Sequence, residues 1–191
     1  MKIGILAIQG DFSLQRSALL KLNIKSDYIR KEDDLNDCDA LIIPGGESTT
    51  ISLLMDKFYL KNPIINFSKK HNVFGICAGS ILMSNNSFDS RINNLSIINL
   101  NTSRNSWGSQ IHSFTCQINL DVDKFKKNKI SGTFIRAPKF KDIATDNIIL
   151  GSFENEPVLI RNKKHLVCSF HPEINMQLCI YEYFVKMINE Q

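Results

Sequence analysis

The sequence predicts an α/β fold, a doubly wound and mostly parallel sheet with helices on both faces and extra antiparallel strands in the C-terminal half. Three observations carry this reading. Short, nearly continuous apolar runs at residues 2–8, 39–43 and 73–76 look like strands buried on both faces of a parallel sheet. Segments with helical spacing of apolar residues lie between them, which makes the βαβ alternation of a doubly wound sheet. Past Ser84 the texture changes, and polar, Asn-rich stretches separate shorter apolar runs.

In chain order, residues 2–8 form the first strand. Residues 12–22 follow with Leu14, Ala18, Leu19 and Leu22 at a helical period. Residues 25–29 give a second strand and residues 39–43 a third, stopped by Pro44-Gly45-Gly46. Ser48 is placed to cap a helix over 49–57, and Pro63 to open another reaching about residue 70. Residues 73–76 form the next strand, ending at Cys77, with a helix-compatible segment after it. Runs at 95–100, 113–120, 131–136, 148–152, 157–160 and 165–170 read as mixed or antiparallel strands, before a final helix over 175–188. With no repeat, low-complexity stretch or linker in view, residues 1–191 read as one domain.

Composition narrows the function classes. The chain has 191 residues, 43% hydrophobic and 22% charged, as in ordinary globular proteins. The net charge of +4 is modest, and the densest basic run, at 124–129, follows Asp121 and Asp123, so it reads as a solvated loop rather than a nucleic-acid surface. No run approaches a membrane span of roughly 18 residues, and the start of the chain lacks a signal-peptide pattern. Five cysteines without paired spacing favour a reducing, cytoplasmic setting.

In open α/β sheets, sites form beyond the carboxyl ends of the strands. Four such ends carry chemistry: Gln9-Gly10, Pro44-Gly45-Gly46-Glu47, Cys77, and His171-Pro172-Glu173. Gly75-Ile76-Cys77-Ala78-Gly79 has the form of a nucleophile elbow, with glycines serving unusual backbone angles and close strand–helix approach. A cysteine nucleophile needs a base, and His171 qualifies because Glu173, two residues on in an extended segment, can orient its ring. Acyl transfer also needs oxyanion donors, which the Ala78 N–H and the Gly45-Gly46 turn, at Gly46, can supply. The spacing His165-x-x-Cys168-x-x-His171 suggests zinc, but on a strand Cys168 faces away from both histidines, so no metal is expected. Neither a P-loop nor Gly-x-Gly-x-x-Gly is present, so nucleotide binding has no support.

These residues resemble the class I (triad) glutamine amidotransferases, which have a flavodoxin-like sheet, and within them the glutaminase subunits of pyridoxal 5′-phosphate synthase. The resemblance rests on Gly4 to Asp11, Pro44-Gly45-Gly46-Glu47-Ser48-Thr49-Thr50, the Cys77 elbow, Arg104-Asn105-Ser106-Trp107-Gly108, Phe134-Ile135-Arg136-Ala137-Pro138 and Phe170-His171-Pro172-Glu173. It implies hydrolysis of L-glutamine to glutamate and ammonia by a Cys77–His171–Glu173 triad, without a cofactor. Gly45, Gly46, Glu47, Ser48, Arg104, Ile135 and Arg136 are then the substrate-binding residues. Gln9 and Gly10 organise the oxyanion loop and the partner contact. The implied partner is a (β/α)₈-barrel synthase subunit, twelve of each chain assembling together, with neither nucleic acid nor membrane involved. Ile76, Gln15 and Ser109 depart from residues common in that family, where Thr, His and Arg are frequent. Gln15 and Ser109 fall in regions expected to face the partner.

Overall fold

A computed structural model describes residues 1–104, 106–107 and 113–190. Asn105, Gly108 and Ser109, named above, lie outside the described residues. The chain runs β1 (Lys2–Leu6), α1 (Phe12–Lys21), β2 (Lys25–Ile29), a 3₁₀ turn at Glu32–Leu35, β3 (Ala40–Ile43), α2 (Ser48–Lys57), α3 (Lys61–Ser68), β4 (Asn72–Ile76) and α4 (Ala78–Met83). It continues through β5 (Asn101–Ser103), β6 (Ser113–Leu120), β7 (Lys129–Ile135), β8 (Lys139–Lys141), β9 (Ile148–Phe153), β10 (Glu156–Arg161), β11 (Leu166–Cys168) and α5 (Leu178–Asn189).

Among the described residues, nine strands form one sheet in the order β2-β1-β3-β4-β11-β10-β9-β6-β7. The first five pair in parallel and the rest antiparallel. The order 2-1-3-4 is the flavodoxin-like winding, which reverses between β1 and β3 and opens a crevice there. An isolated bridge between Thr133 of β7 and His171 brings the far edge back to the segment after β11. The antiparallel half is therefore curled, and its last strand reaches the crevice.

Strand alternation divides the apolar residues between two cores. Ile3, Ile5, Ala40, Ile42, Phe74 and Ile76 face α1 and α5, packing with Leu19, Tyr181 and Phe184. Leu41, Ile43, Val73 and Val167 face the other way, against Ile51 and Met55 of α2, Ile64 of α3 and Leu82 of α4. Burial on both faces explains why these strands are apolar without a break.

The expected parallel strands and helices are present with shifted ends. The first strand stops at Leu6, and residues 7–10 form the loop that enters the crevice. Ser48 is the first residue of α2 rather than its cap, and Glu47 takes the cap position in extended backbone. The final helix begins only at Leu178 because residues 172–176 form a turn. The expected strand at 95–100 is absent. The N–H of Leu95 donates to the Leu82 carbonyl at 2.7 Å, and those of Ile97 and Ile98 to that of Met83 at 3.0 and 3.2 Å. These bonds satisfy the free carbonyls at the end of α4, so Leu95, Ile98 and Leu100 are buried as a core-packing loop. Neither β5 nor β8 is among the expected strands; the two pair in a separate two-stranded sheet.

Candidate active site

Cys77 joins β4 to α4 with φ 48° and ψ −102°, a conformation rare outside glycine. Its N–H donates to the Cys168 carbonyl at 2.8 Å, and its carbonyl accepts from the Ser80 N–H at 3.0 Å and the Ser80 hydroxyl at 2.7 Å. These bonds hold the elbow against its strain. The flanking glycines serve clearance, and the unusual angle falls on Cys77 itself. A Cβ on Gly79 would lie 2.0 Å from the Ile43 carbonyl oxygen, and one on Gly75 2.5 Å from the Met83 sulfur.

His171 follows β11, and its N–H is fixed by the Thr133 carbonyl of β7 at 2.8 Å. Its Nδ1 lies 2.7 Å from Glu173 Oε1, and Glu173 is fully buried. The pair does not rest on strand alternation, since Glu173 belongs to a turn in which the Met176 N–H donates to its carbonyl at 3.3 Å and the Gln177 N–H to that of Pro172 at 2.9 Å. Burial acts to lower the proton affinity of His171. The facing Cys77 and Glu173 side chains outweigh it and hold the imidazole well above its usual pKa. The ring packs against Gly45, where a Cβ would sit 2.4 Å from His171 Cε1. The Cys77 sulfur lies 3.8 Å from the Ile135 carbonyl oxygen.

A cavity of about 280 Å³ opens beside these groups. It is lined by Gln9, Gly10, Gly46, Glu47, Ser48, Cys77, Ala78, Arg104, Ile135, Arg136 and His171. Gly45 and Glu173 stand behind His171 rather than on the wall. Ala78 opens α4, so its N–H has no intrahelical acceptor and is available to a developing negative charge. The loops after β1 and β3 interlock: the Glu47 N–H donates to Gln9 Oε1 at 3.0 Å, and the Asp11 N–H to the Gly45 carbonyl at 3.1 Å. On the same cavity Glu47 lies between two cations, 3.1 Å from Arg104 and 3.8 Å from Arg136, whose φ is 45°.

The cavity also takes in Asp11 and Ile81, which sequence reasoning missed, and Asp89 pairs with Arg104 from the loop after α4. Gln15 is not a surface residue. It is fully buried between α1 and α5, where its Oε1 accepts from the Tyr181 hydroxyl at 2.6 Å. Ile76 is likewise buried in the core. His165 sits at the other end of β11 from His171, its Nδ1 accepting from the Val73 N–H at 3.3 Å. Among the described residues, the grouping with spacing suited to a metal is Asp11, His171 and Glu173. There Glu173 already engages the His171 nitrogen, which identifies it as a hydrogen-bonded pair with an exposed neighbour. Among the described residues no helix is long and apolar enough to cross a membrane.

Comparison with known proteins matches residues 5–190 to the SNO glutamine amidotransferase family. A pyridoxal 5′-phosphate synthase subunit PdxT from Francisella tularensis subsp. tularensis (strain WY96-3418) is 38% identical over 97% of this chain and 98% of its own. The subunit of that name from Francisella tularensis subsp. novicida (strain U112) is 37% identical over the same shares. A crystal structure of a glutamine amidotransferase superposes with a TM-score of 0.90 at 31% identity, covering 98% of both chains. A glutamine amidotransferase from Thermotoga maritima, with a TM-score of 0.61 at 17% identity over 99% of this chain and 84% of its own, shares the fold.

Proposed function

Because the chain belongs to the SNO glutamine amidotransferase family, we propose that it is the glutaminase subunit of a pyridoxal 5′-phosphate synthase. As one glutaminase domain it hydrolyses L-glutamine to L-glutamate and ammonia. The observation that carries this reading is that Cys77 and His171, the latter paired with Glu173, line one cavity together with Glu47, Arg104 and Arg136. At about 280 Å³ the cavity suits a ligand smaller than a drug-sized molecule. A zwitterionic amino acid needs both charge signs, with arginines for its α-carboxylate and Glu47 for its α-ammonium.

In this mechanism the Cys77 sulfur attacks the side-chain amide carbon after His171 has taken the thiol proton. The negative oxygen of the tetrahedral species is received by the N–H groups of Gly46 and Ala78. His171 returns the proton to the departing nitrogen, ammonia leaves, and a γ-glutamyl thioester remains on Cys77. Water then attacks that carbonyl with His171 as base, the C–S bond breaks, and glutamate is released. Glu173 orients the imidazole and stabilises its charged form. Gln9 and Gly10 hold the oxyanion loop in place.

Ammonia released here is wasted unless another chain uses it. The partner in this reading is a (β/α)₈-barrel synthase subunit, twelve of each assembling in the cytoplasm. Glutamate release measured with and without that subunit, for the wild type and Cys77→Ala, tests the reading. Release is expected to depend on Cys77 and to rise sharply on adding the synthase. Continued ammonia release by Cys77→Ala would refute the nucleophile assignment.

A further inference from the structure

Arg104 reaches the cavity from the turn after β5, and two carboxylates hold opposite ends of its guanidinium. One amino group lies 3.1 Å from Glu47, and the other forms a close ion pair with Asp89. The two anions differ in setting. Glu47 lines the cavity and also faces Arg136. Asp89 lies off the cavity wall and is itself clamped: the Arg91 N–H and Nε donate to its Oδ1 at 3.1 and 2.9 Å, and a terminal amino group to its Oδ2 at 2.7 Å. The Asp89–Arg104 pair is largely shielded, with side chains only 15% and 19% exposed. Such a pair fixes geometry in a way that a solvated surface pair does not.

We propose that Asp89 is a positioning residue for glutamine recognition, anchoring Arg104 so that Glu47 can leave it for the substrate. Arg104 facing Glu47 alone would exchange its only protein partner for the substrate's α-carboxylate when Glu47 turned to the α-ammonium group, with nothing to hold its direction meanwhile. With Asp89 in place, the guanidinium keeps a neutralising partner and a fixed direction while Glu47 changes hands. Both Arg91 and Arg104 hold the Asp89 carboxyl far below the usual carboxylate range, Arg91 foremost, so the anchor stays charged throughout the range in which the protein works. Asp89 touches neither the reacting carbon nor the triad, so its effect falls on substrate binding.

This inference rests on the reading of Arg104 as a glutamine contact, and the test separates the two. Glutamate release is followed across a glutamine titration, with the barrel-type synthase present, for the wild type, Asp89→Asn, Asp89→Glu and Arg104→Ala. Asp89→Asn is expected to raise KM roughly tenfold while leaving kcat within about twofold, because an amide keeps the shape but loses the charge. Asp89→Glu is expected to recover most of the affinity. A wild-type KM in Asp89→Asn, beside a raised KM in Arg104→Ala, overturns the proposal alone. An unchanged KM in Arg104→Ala overturns the underlying reading of Arg104. Equal kcat losses in Asp89→Asn and Asp89→Glu, with a lowered thermal midpoint in both, would mark a purely structural role and also overturn it.

Discussion

At Gly45 the space of a side chain is taken by the imidazole of His171. A methyl group there would stand 2.4 Å from Cε1, so Gly45→Ala must displace the ring. Misplacing a catalytic group by about 1 Å costs roughly 100-fold in rate. We therefore expect Gly45→Ala to lower kcat by about that factor with little change in the thermal midpoint, as steady-state kinetics and thermal denaturation would record. A wild-type kcat would mean that the ring is free to adjust. Cys77, His171 and Glu173 were legible in the sequence because each sits in a short motif whose neighbours declare its surroundings. Asp89 was not, because its importance lies in Arg104, fifteen positions away. Gln15 was expected in a region facing the partner, and only the packing of α5 over α1 reveals it as a buried partner of Tyr181.

Among the elements, β4 and α4 set the elbow, and α4 must lie close on β3 for Cys77 to be presented. A Cβ on Gly79 would meet the Ile43 backbone oxygen at 2.0 Å, which no rotamer change can relieve. Gly79→Ala is expected to destabilise the fold by about 2 to 3 kcal/mol, read as a lowered urea midpoint. A second element-level prediction concerns the start of β11. Burial foremost, aided by nearby Lys164, lowers the His165 pKa from 6.5 to about 4, so the folded protein holds this ring neutral. The unfolded chain takes up the proton more readily, so this stability is complete above pH 6.5 and drains away as pH falls toward 4. By pH 5 the loss attributable to His165 is about 2 kcal/mol. His171 shifts the opposite way, so its contribution is complete only well below pH 6.5 and declines above it; this partly offsets the His165 slope, equally in wild type and in His165→Gln. Urea denaturation at pH 7 and pH 5 should show a smaller drop in His165→Gln than in wild type, and equal drops would contradict the assignment. The buried strands were legible because two-sided burial demands unbroken apolar runs. The segment 95–100 misled because its apolar residues serve packing while its N–H groups serve the end of α4.

For the whole molecule, the parallel half supplies the elbow and the oxyanion loop, and the curled antiparallel half supplies the Thr133 carbonyl that fixes His171, together with Arg136 just beyond β7. The sheet's parallel winding could be read from the alternation of strands and helices. The curl could not, since it depends on β7 returning to residue 171, a pairing that no local pattern encodes. At this scale the central claim is transfer: glutamine nitrogen freed at Cys77 becomes nitrogen in another chain's product. The direct measurement incubates this chain and the synthase subunit with a pentose phosphate, a triose phosphate and glutamine labelled with ¹⁵N in its side-chain amide, then reads the label in pyridoxal 5′-phosphate by mass spectrometry. We predict that the label enters the product with wild-type protein and is lost with Cys77→Ala, while added ammonium salt restores unlabelled product. Label in the product with Cys77→Ala, or no label with wild type under conditions where ammonium supports synthesis, would contradict the claim.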